Sequence, residues 1–447
     1  MSKPKRTYRI FLGLVEIAGH YRSLAEGFRR LGHQATFVDT LGNCNQYENR
    51  SRGNWLLRWI DYLAARCQTA RTVRRNRMWR LLIMLFKPPL FLYAVCRHDV
   101  FLLGHGTSFL SFYDLPLLKL LGKRVLVQFH GTDSRPRYLD AFFQRNSERP
   151  DVARLARQTR KQKRVLRRID RWADVVINIG PQGHLHERPF VQWLRVGLPS
   201  CPDPLPERSE VFQPRAAGPV RILHCPSNPA GKGTPRIREM IEAVRRVRDV
   251  EYVEVVGQPN AVVLRELRRC DFVIDQVYAD YAMAGFATEA AWFAKAVLVG
   301  GLAVDSWKRE LPDEAHRPPT LYCYPDQMPE MLLRLIDDEK FRVELGRRAR
   351  DFVETHWHPV KVAKKLLLAM EGRLSADWYV DPKDIRYIGG WGMPPERLRD
   401  VVTRMVEAHG PESLCVDDKP ELQDEFRRLL RGEPLSLETG LASLNTR

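Results

Sequence analysis

The eight cysteines of this sequence form no C-x-x-C pair: Cys44, Cys67, Cys96, Cys201, Cys225, Cys270, Cys323 and Cys415 stand singly, several inside apolar runs. Such spacing supplies neither the ligand set of a structural zinc site nor a disulfide framework, and a reducing, cytoplasmic setting is expected. A secretory leader is also missing. The basic start MSKPKRTYRIFLGLV has too short an apolar stretch for one, and YRIFLGLV reads as a first strand. Long apolar runs are scarce. One approaches the roughly 20 residues of a bilayer span: MWRLLIMLFKPPLFLYAVC, residues 78–96. Its Lys87-Pro88-Pro89 should end a helix at or before Lys87, leaving two short halves that form a packed or interfacial element instead of a span. Acid is in deficit, with 54 Asp and Glu against 72 Lys and Arg, for a net charge of +18. That surplus favours polyanionic partners, namely nucleic acid, anionic lipid or phosphorylated substrates. Neither a helix-turn-helix nor an aromatic-interleaved RNA motif accompanies it, so nucleic acid is not expected.

What is present is length and alternation. At 447 residues the chain exceeds what one core usually supports, and 44% hydrophobic with 28% charged residues is the composition of a folded protein. Strand patterns at 8–15, 34–39, 99–104, 124–130 and 173–180 alternate with helical ones, among them about 21–31 (stopped by Gly32) and one within 151–171. Near-continuous Val, Ile and Leu strands between helices imply a parallel sheet covered on both faces. Residues 199–219 are proline-rich and read as a stiff linker. A second set of strands follows at 220–224, 251–257, 271–277, 296–301 and 320–324, then helix from 339 to 372 with a break at His358-Pro359. The expected fold class is therefore α/β, with two doubly wound domains at 1–198 and 220–355. Residues 356–372 cross back to the first domain, and 373–447 form a helical tail without evident chemistry. Ligands belong at the carboxyl ends of the strands.

Residues 224–234, HCPSNPAGKGT, join one such strand end to a helix start. Backbone N–H groups and the helix dipole there favour an anion. Gly231 and Gly233 let the backbone approach it, Ser227 and Asn228 add donors, and Lys232 adds a charge. Downstream, Glu289 follows the small-residue loop Ala282-Met283-Ala284-Gly285. A carboxylate there can accept both hydroxyls of a ribose, or simply complement the helix dipole. His130 and Asp133 lie in HGTDSR after a buried strand, where a lone histidine serves structure as readily as chemistry.

The succession of H-x-PSN-x-x-x-KGT, D-Q, a small-residue loop, a Glu-Ala helix and a V-x-V strand resembles the donor half of a GT-B glycosyltransferase, nearest to the retaining family 4 (group 1) enzymes of bacterial polysaccharide synthesis. The resemblance covers about 1–372 and is strongest in 220–301. It implies two Rossmann-like domains facing a cleft, a nucleotide-sugar donor whose diphosphate meets Lys232 and whose ribose meets Glu289, and Gly285 and Gly233 in the same site. His130 would then face the transferred sugar, Asp133 would hold its loop or the acceptor, and Gly19, beside His20, would approach the donor phosphates. Two positions depart from the pattern. Tyr281 stands where the family has a second glutamate, and the region of Ser227 and Asn228 replaces an arginine. There is no D-x-D motif, in keeping with a fold in which a lysine and a helix N-terminus neutralise the leaving diphosphate without metal or cofactor.

The basic runs 71–80 and 151–171 lie in the half expected to take the acceptor. They suit peripheral docking on an anionic membrane that carries a lipid-linked acceptor glycan. Alternative readings are a GT-B sugar-nucleotide epimerase, a basic nucleic-acid-binding protein, or a degenerate enzyme kept as a partner subunit.

Overall fold

The computed structural model describes residues 6–40, 55–68, 72–104, 106–144, 149–212 and 218–433. Cys44, Arg71, 213–217 of the proline-rich stretch and 434–447 of the tail lie outside the described residues.

Among the described residues there are twelve strands, numbered in chain order. β1 (Arg9–Leu14), β2 (Gln34–Asp39), β3 (Val100–Gly104), β4 (Arg124–Gln128), β5 (Val175–Asn178) and β6 (Phe190–Gln192) precede the linker. β7 (Val220–His224), β8 (Val250–Glu254), β9 (Phe272–Ile274), β10 (Ala296–Gly300) and β11 (Leu321–Cys323) follow it, and β12 (Tyr379–Val380) comes late. They form a seven-stranded sheet in the order β12-β6-β5-β4-β3-β1-β2 and a five-stranded sheet in the order β11-β10-β9-β7-β8. Every pair is parallel except β12 on β6. Parallel strands must hide both faces, and all five residues of β3 and of β10 are buried.

Local chemistry sets the boundaries. Gly32 adopts φ +86° just beyond the helix His20–Arg30, a conformation that stops a helix cheaply only at glycine. The helix Pro359–Met370 crosses back onto the first domain, where a Cβ on Gly27 would lie 2.3 Å from the carbonyl oxygen of Pro359. Two Rossmann-like domains face to face, with a late helix returning to the first, make the GT-B arrangement. One apolar cluster runs from the first domain through Ala282, Trp292 and Val299 of the second into Met393 and Leu398 of the tail, so the halves meet as packed surfaces.

One expectation needs correction, and another is met and extended. The helix Val73–Arg97 is continuous through Pro88 and Pro89. Both prolines are exposed, so water can satisfy the two carbonyls left without an N–H partner, and Lys87 Nζ anchors the turn by donating to the Ser108 carbonyl at 3.2 Å. The tail, in turn, is more than helical. β12 extends the first sheet, and the helix Pro395–His409 packs along the basic helix Val152–Trp172. The inner face of that basic helix is thereby covered, with Lys163 Nζ 3.1 Å from Asp418 of the tail.

Candidate active site

The loop after β7 is held from below. His224 Nδ1 donates to the Ile274 carbonyl (2.8 Å) and its Nε2 accepts from Thr234 Oγ1 (2.9 Å). Burial lowers its pKa to about 4, so the ring is neutral and serves as a peg. Asn228 Oδ1 accepts from the Gly231 amide (3.1 Å) and caps the short turn Pro229–Lys232. Gly233 adopts φ +73°, packed so closely on Val277 that a Cβ would lie 2.7 Å from its methyl. Lys232 therefore leaves the turn in a fixed direction. Its Nζ lies 2.9 Å from Asp275 Oδ1 at the end of β9, and the lysine side chain is 13% exposed. Asp275 is buried, and its second oxygen has no hydrogen-bond partner among the described residues. Ser227 is exposed at the rim.

Glu289 lies in the second turn of the helix Gly285–Trp292, is almost buried, and accepts from Asn260 Nδ2 at 2.9 Å. Burial pushes the thiol of Cys225, the residue after β7, upward, and the carboxylates of Glu289 and Asp275 are among the charges that add to the shift. Where that helix begins, the first domain touches the second: a Cβ on Gly285 would lie 3.1 Å from the Ala18 Cβ. Gly19, at φ +72°, is the N-cap of the helix His20–Arg30 and places the loop there. Glu16 accepts from the amides of Ile17, Tyr21 and Arg22 at 2.8 to 3.1 Å and ties the same loop down. Burial outweighs these bonds and raises its pKa to about 7.

On the first-domain side, Asp133 Oδ1 accepts from the amides of His130 and Gly131, each at 2.9 Å, closing the turn after β4. His130 Nε2 lies 2.9 Å from the Tyr21 hydroxyl. His20, kept neutral by burial with a pKa lowered to about 3, meets the His130 ring edge to face at 4.8 Å. Trp193 at the end of β6 touches His130 (6.5 Å between centroids) and Tyr281 of the second domain (5.1 Å). His130 is thus joined across the cleft to the loop that follows β9, the loop whose first residue, Asp275, meets Lys232.

Sequence reasoning missed a second set of residues. Arg135 binds both Asp140 and Asp280, with Nε 2.7 Å from Asp280 Oδ2, and Gln182 and Tyr387 also donate to Asp280. Burial opposes the charge on Arg135, but the two carboxylates outweigh it and its pKa lies above the ordinary value. One cation cannot neutralise two buried anions, so burial raises both aspartates. Glu310 of the second domain accepts from the Gly180 amide (3.2 Å) and from Gln192, both of the first, and burial raises its pKa to about 7. The only available signal was adjacency, since Arg135 ends HGTDSR and Asp280 precedes Tyr281.

No family model and no curated protein matches the sequence. Solved structures do match. Trehalose-6-phosphate synthase OtsA is 10% identical over 81% of this chain and 99% of that one, with a TM-score of 0.49. Anabaena HepE in complex with UDP and glucose is 10% identical over 82% and 100%, with a TM-score of 0.46. The calicheamicin glycosyltransferase CalG4 is 15% identical over 83% and 100%, with a TM-score of 0.39. The fold assignment rests on the sheet topology described above, not on these likenesses.

Proposed function

We propose that this chain is a glycosyltransferase that moves a sugar from a nucleoside diphosphate sugar to an acceptor glycan, with retention at the anomeric carbon and without metal or cofactor. The observation that carries the reading is the convergence at one cleft. Lys232 lies in the turn after β7 and pairs with Asp275, Ala18 of the first domain meets the start of the helix that carries Glu289, and His130 reaches Tyr281 through Trp193. Lys232 would exchange Asp275 for the diphosphate, Glu289 with Asn260 would hold the ribose, and His130, oriented by Tyr21, would face the sugar. The acceptor oxygen bonds to the anomeric carbon as that carbon's bond to the diphosphate oxygen breaks, and the acceptor proton passes to the departing diphosphate. Fixed charge and orientation are then the source of the acceleration.

The acceptor is lipid-linked in this reading, and the enzyme works on the cytoplasmic face of an anionic membrane. The helices Trp55–Gln68 and Val73–Arg97 support this. They expose Trp55, Trp59, Leu81, Met84, Leu85 and Leu92 beside Arg58, Arg74, Arg75, Arg77 and Arg80. Apolar tips with an arginine rim suit a headgroup layer, where each basic residue contributes about 1 kcal/mol. The segment Arg74–Arg97 is also long and apolar enough to cross a membrane by length and composition. The deciding experiment screens UDP-, GDP- and ADP-sugars for thermal stabilisation, then assays transfer from any that bind to extracted glycolipids. Turnover of donor into an isomer with no acceptor present, or binding of none of the donors, overturns the reading.

A further inference from the structure

The segment 385–393, read from sequence as part of a tail without chemistry, passes between the two domains and grips both. On the first-domain side the Trp391 amide donates to the Leu139 carbonyl (2.8 Å), the Trp391 carbonyl accepts from Ala141 (3.1 Å), and His184 Nε2 donates to the Tyr387 carbonyl (2.6 Å). On the second-domain side the Gly392 amide donates to the Tyr278 carbonyl (3.1 Å), and the Tyr387 hydroxyl donates to Asp280 Oδ1 (3.4 Å). The Trp391 indole lies against Gly231, where a Cβ would come 2.8 Å from the ring, and the Arg135 guanidinium stands 5.3 Å from the ring centroid. Gly392 adopts φ +68°, and a Cβ on it would lie 2.8 Å from the Gly231 carbonyl oxygen, so no larger residue fits.

These contacts bracket one residue. The Lys232 carbonyl accepts from the Val277 amide, Gly233 packs on Val277, Gly392 grips the neighbouring Tyr278, and Trp391 covers Gly231. We propose that segment 385–393 is a strap that completes the donor site, with Trp391 and Gly392 as positioning residues that hold the Lys232 turn against the end of β9 and tie it to the first domain. Without the strap the turn keeps its Asn228 cap, its Val277 contacts and the Lys232–Asp275 pair but loses the indole against Gly231 and the tie to the first domain, and it would open more often. The strap deepens the glycosyltransferase reading, since its functional consequence rests on Lys232 meeting a diphosphate. Its structural consequence does not.

The test uses the full chain and two variants, Trp391→Ala and Gly392→Ala, with Asp424→Asn as a control that breaks an exposed tail pair with Arg427, outside the strap. Hydrogen exchange of peptides covering 226–236 is measured without ligand, and affinities for UDP, GDP and ADP are measured by calorimetry. The expected result is faster exchange in 226–236 for both strap variants and not for the control. For whichever nucleotide the unaltered protein binds, affinity should fall on the order of tenfold. Unchanged exchange in a folded strap variant overturns the proposal, as does faster exchange with unchanged affinity. If the unaltered protein binds none of the nucleotides, the glycosyltransferase reading fails while exchange alone judges the strap. If Trp391→Ala does not fold, Gly392→Ala, which keeps the indole and crowds the Gly231 carbonyl and the Ala141 methyl, decides.

Discussion

Arg135 and Asp280 pair across the two domains with side chains 3% and 0% exposed, and Asp140 shares the same guanidinium. Truncating the arginine strands two carboxylates in the interior, a situation that costs about 3–5 kcal/mol. Arg135→Ala should therefore lower the free energy of unfolding by an amount in that range. Asp280→Asn should cost less, because Asp140 still neutralises the arginine. Equal losses in the two variants, read from urea unfolding, would contradict this account.

Lys232 pairs with one oxygen of Asp275, and the other oxygen has no hydrogen-bond partner among the described residues. Lys232→Ala should lower turnover at least a hundredfold, about 2.7 kcal/mol of barrier. It also leaves Asp275 buried without its cation, so the rate must be normalised to folded protein. Near-unaltered kcat in the folded fraction would remove Lys232 from the chemistry.

Glu289→Ala should weaken nucleoside diphosphate binding, and Asn260→Ala should do so to a lesser degree by freeing the Glu289 carboxylate from its donor. If Glu289 meets the ribose, the loss should be larger for UDP than for inorganic pyrophosphate, which has no ribose to hold. Parallel losses for both ligands, measured by calorimetry, would reduce Glu289 to a structural residue.

The parallel sheets were legible because buried strands such as VFLLG and AVLVG admit few other readings, and the loop at Lys232 because glycine, lysine and a following amphipathic helix make a recognisable anion cradle. The strap was not. Ile385, Tyr387, Ile388 and Met393 are buried in an interdomain seam, yet they have neither strand nor helix period, and GGWG reads as a turn. What gives it meaning is contact with Gly231, more than 150 positions away. Pro88 and Pro89 misled for the opposite reason: the local rule is sound, but the prolines fall on the exposed side of a helix held by the Lys87 contact with Ser108.

Replacing Leu81, Met84 and Leu85 together by serine should abolish sedimentation with vesicles of anionic lipid while leaving the melting temperature nearly unchanged, since all three are more than half exposed. Binding by the unaltered protein should weaken with added salt, as expected when arginines supply part of the attraction. Retained sedimentation of the triple variant would direct attention to the outer face of the basic helix Val152–Trp172.

Glu310 offers a test of domain contact through pH. Its folded pKa is raised from 4.5 to about 7 because ionisation inside the interface is costly. A group shifted in that direction binds its proton more tightly in the folded state. Its stabilising contribution is complete below the unfolded pKa near 4.5, declines between there and 7, and is gone above. The decline across that window is on the order of 3 kcal/mol. Glu310→Gln keeps an oxygen to accept from Gly180 and removes the titration, so its stability should fall less between pH 4.5 and 7 than that of the unaltered protein. Some slope should persist from Glu16, whose pKa is shifted by burial in the same direction. Identical slopes for variant and parent, taken from urea unfolding at a series of pH values, would show that Glu310 ionises freely and that the two domains part more readily than their packing indicates.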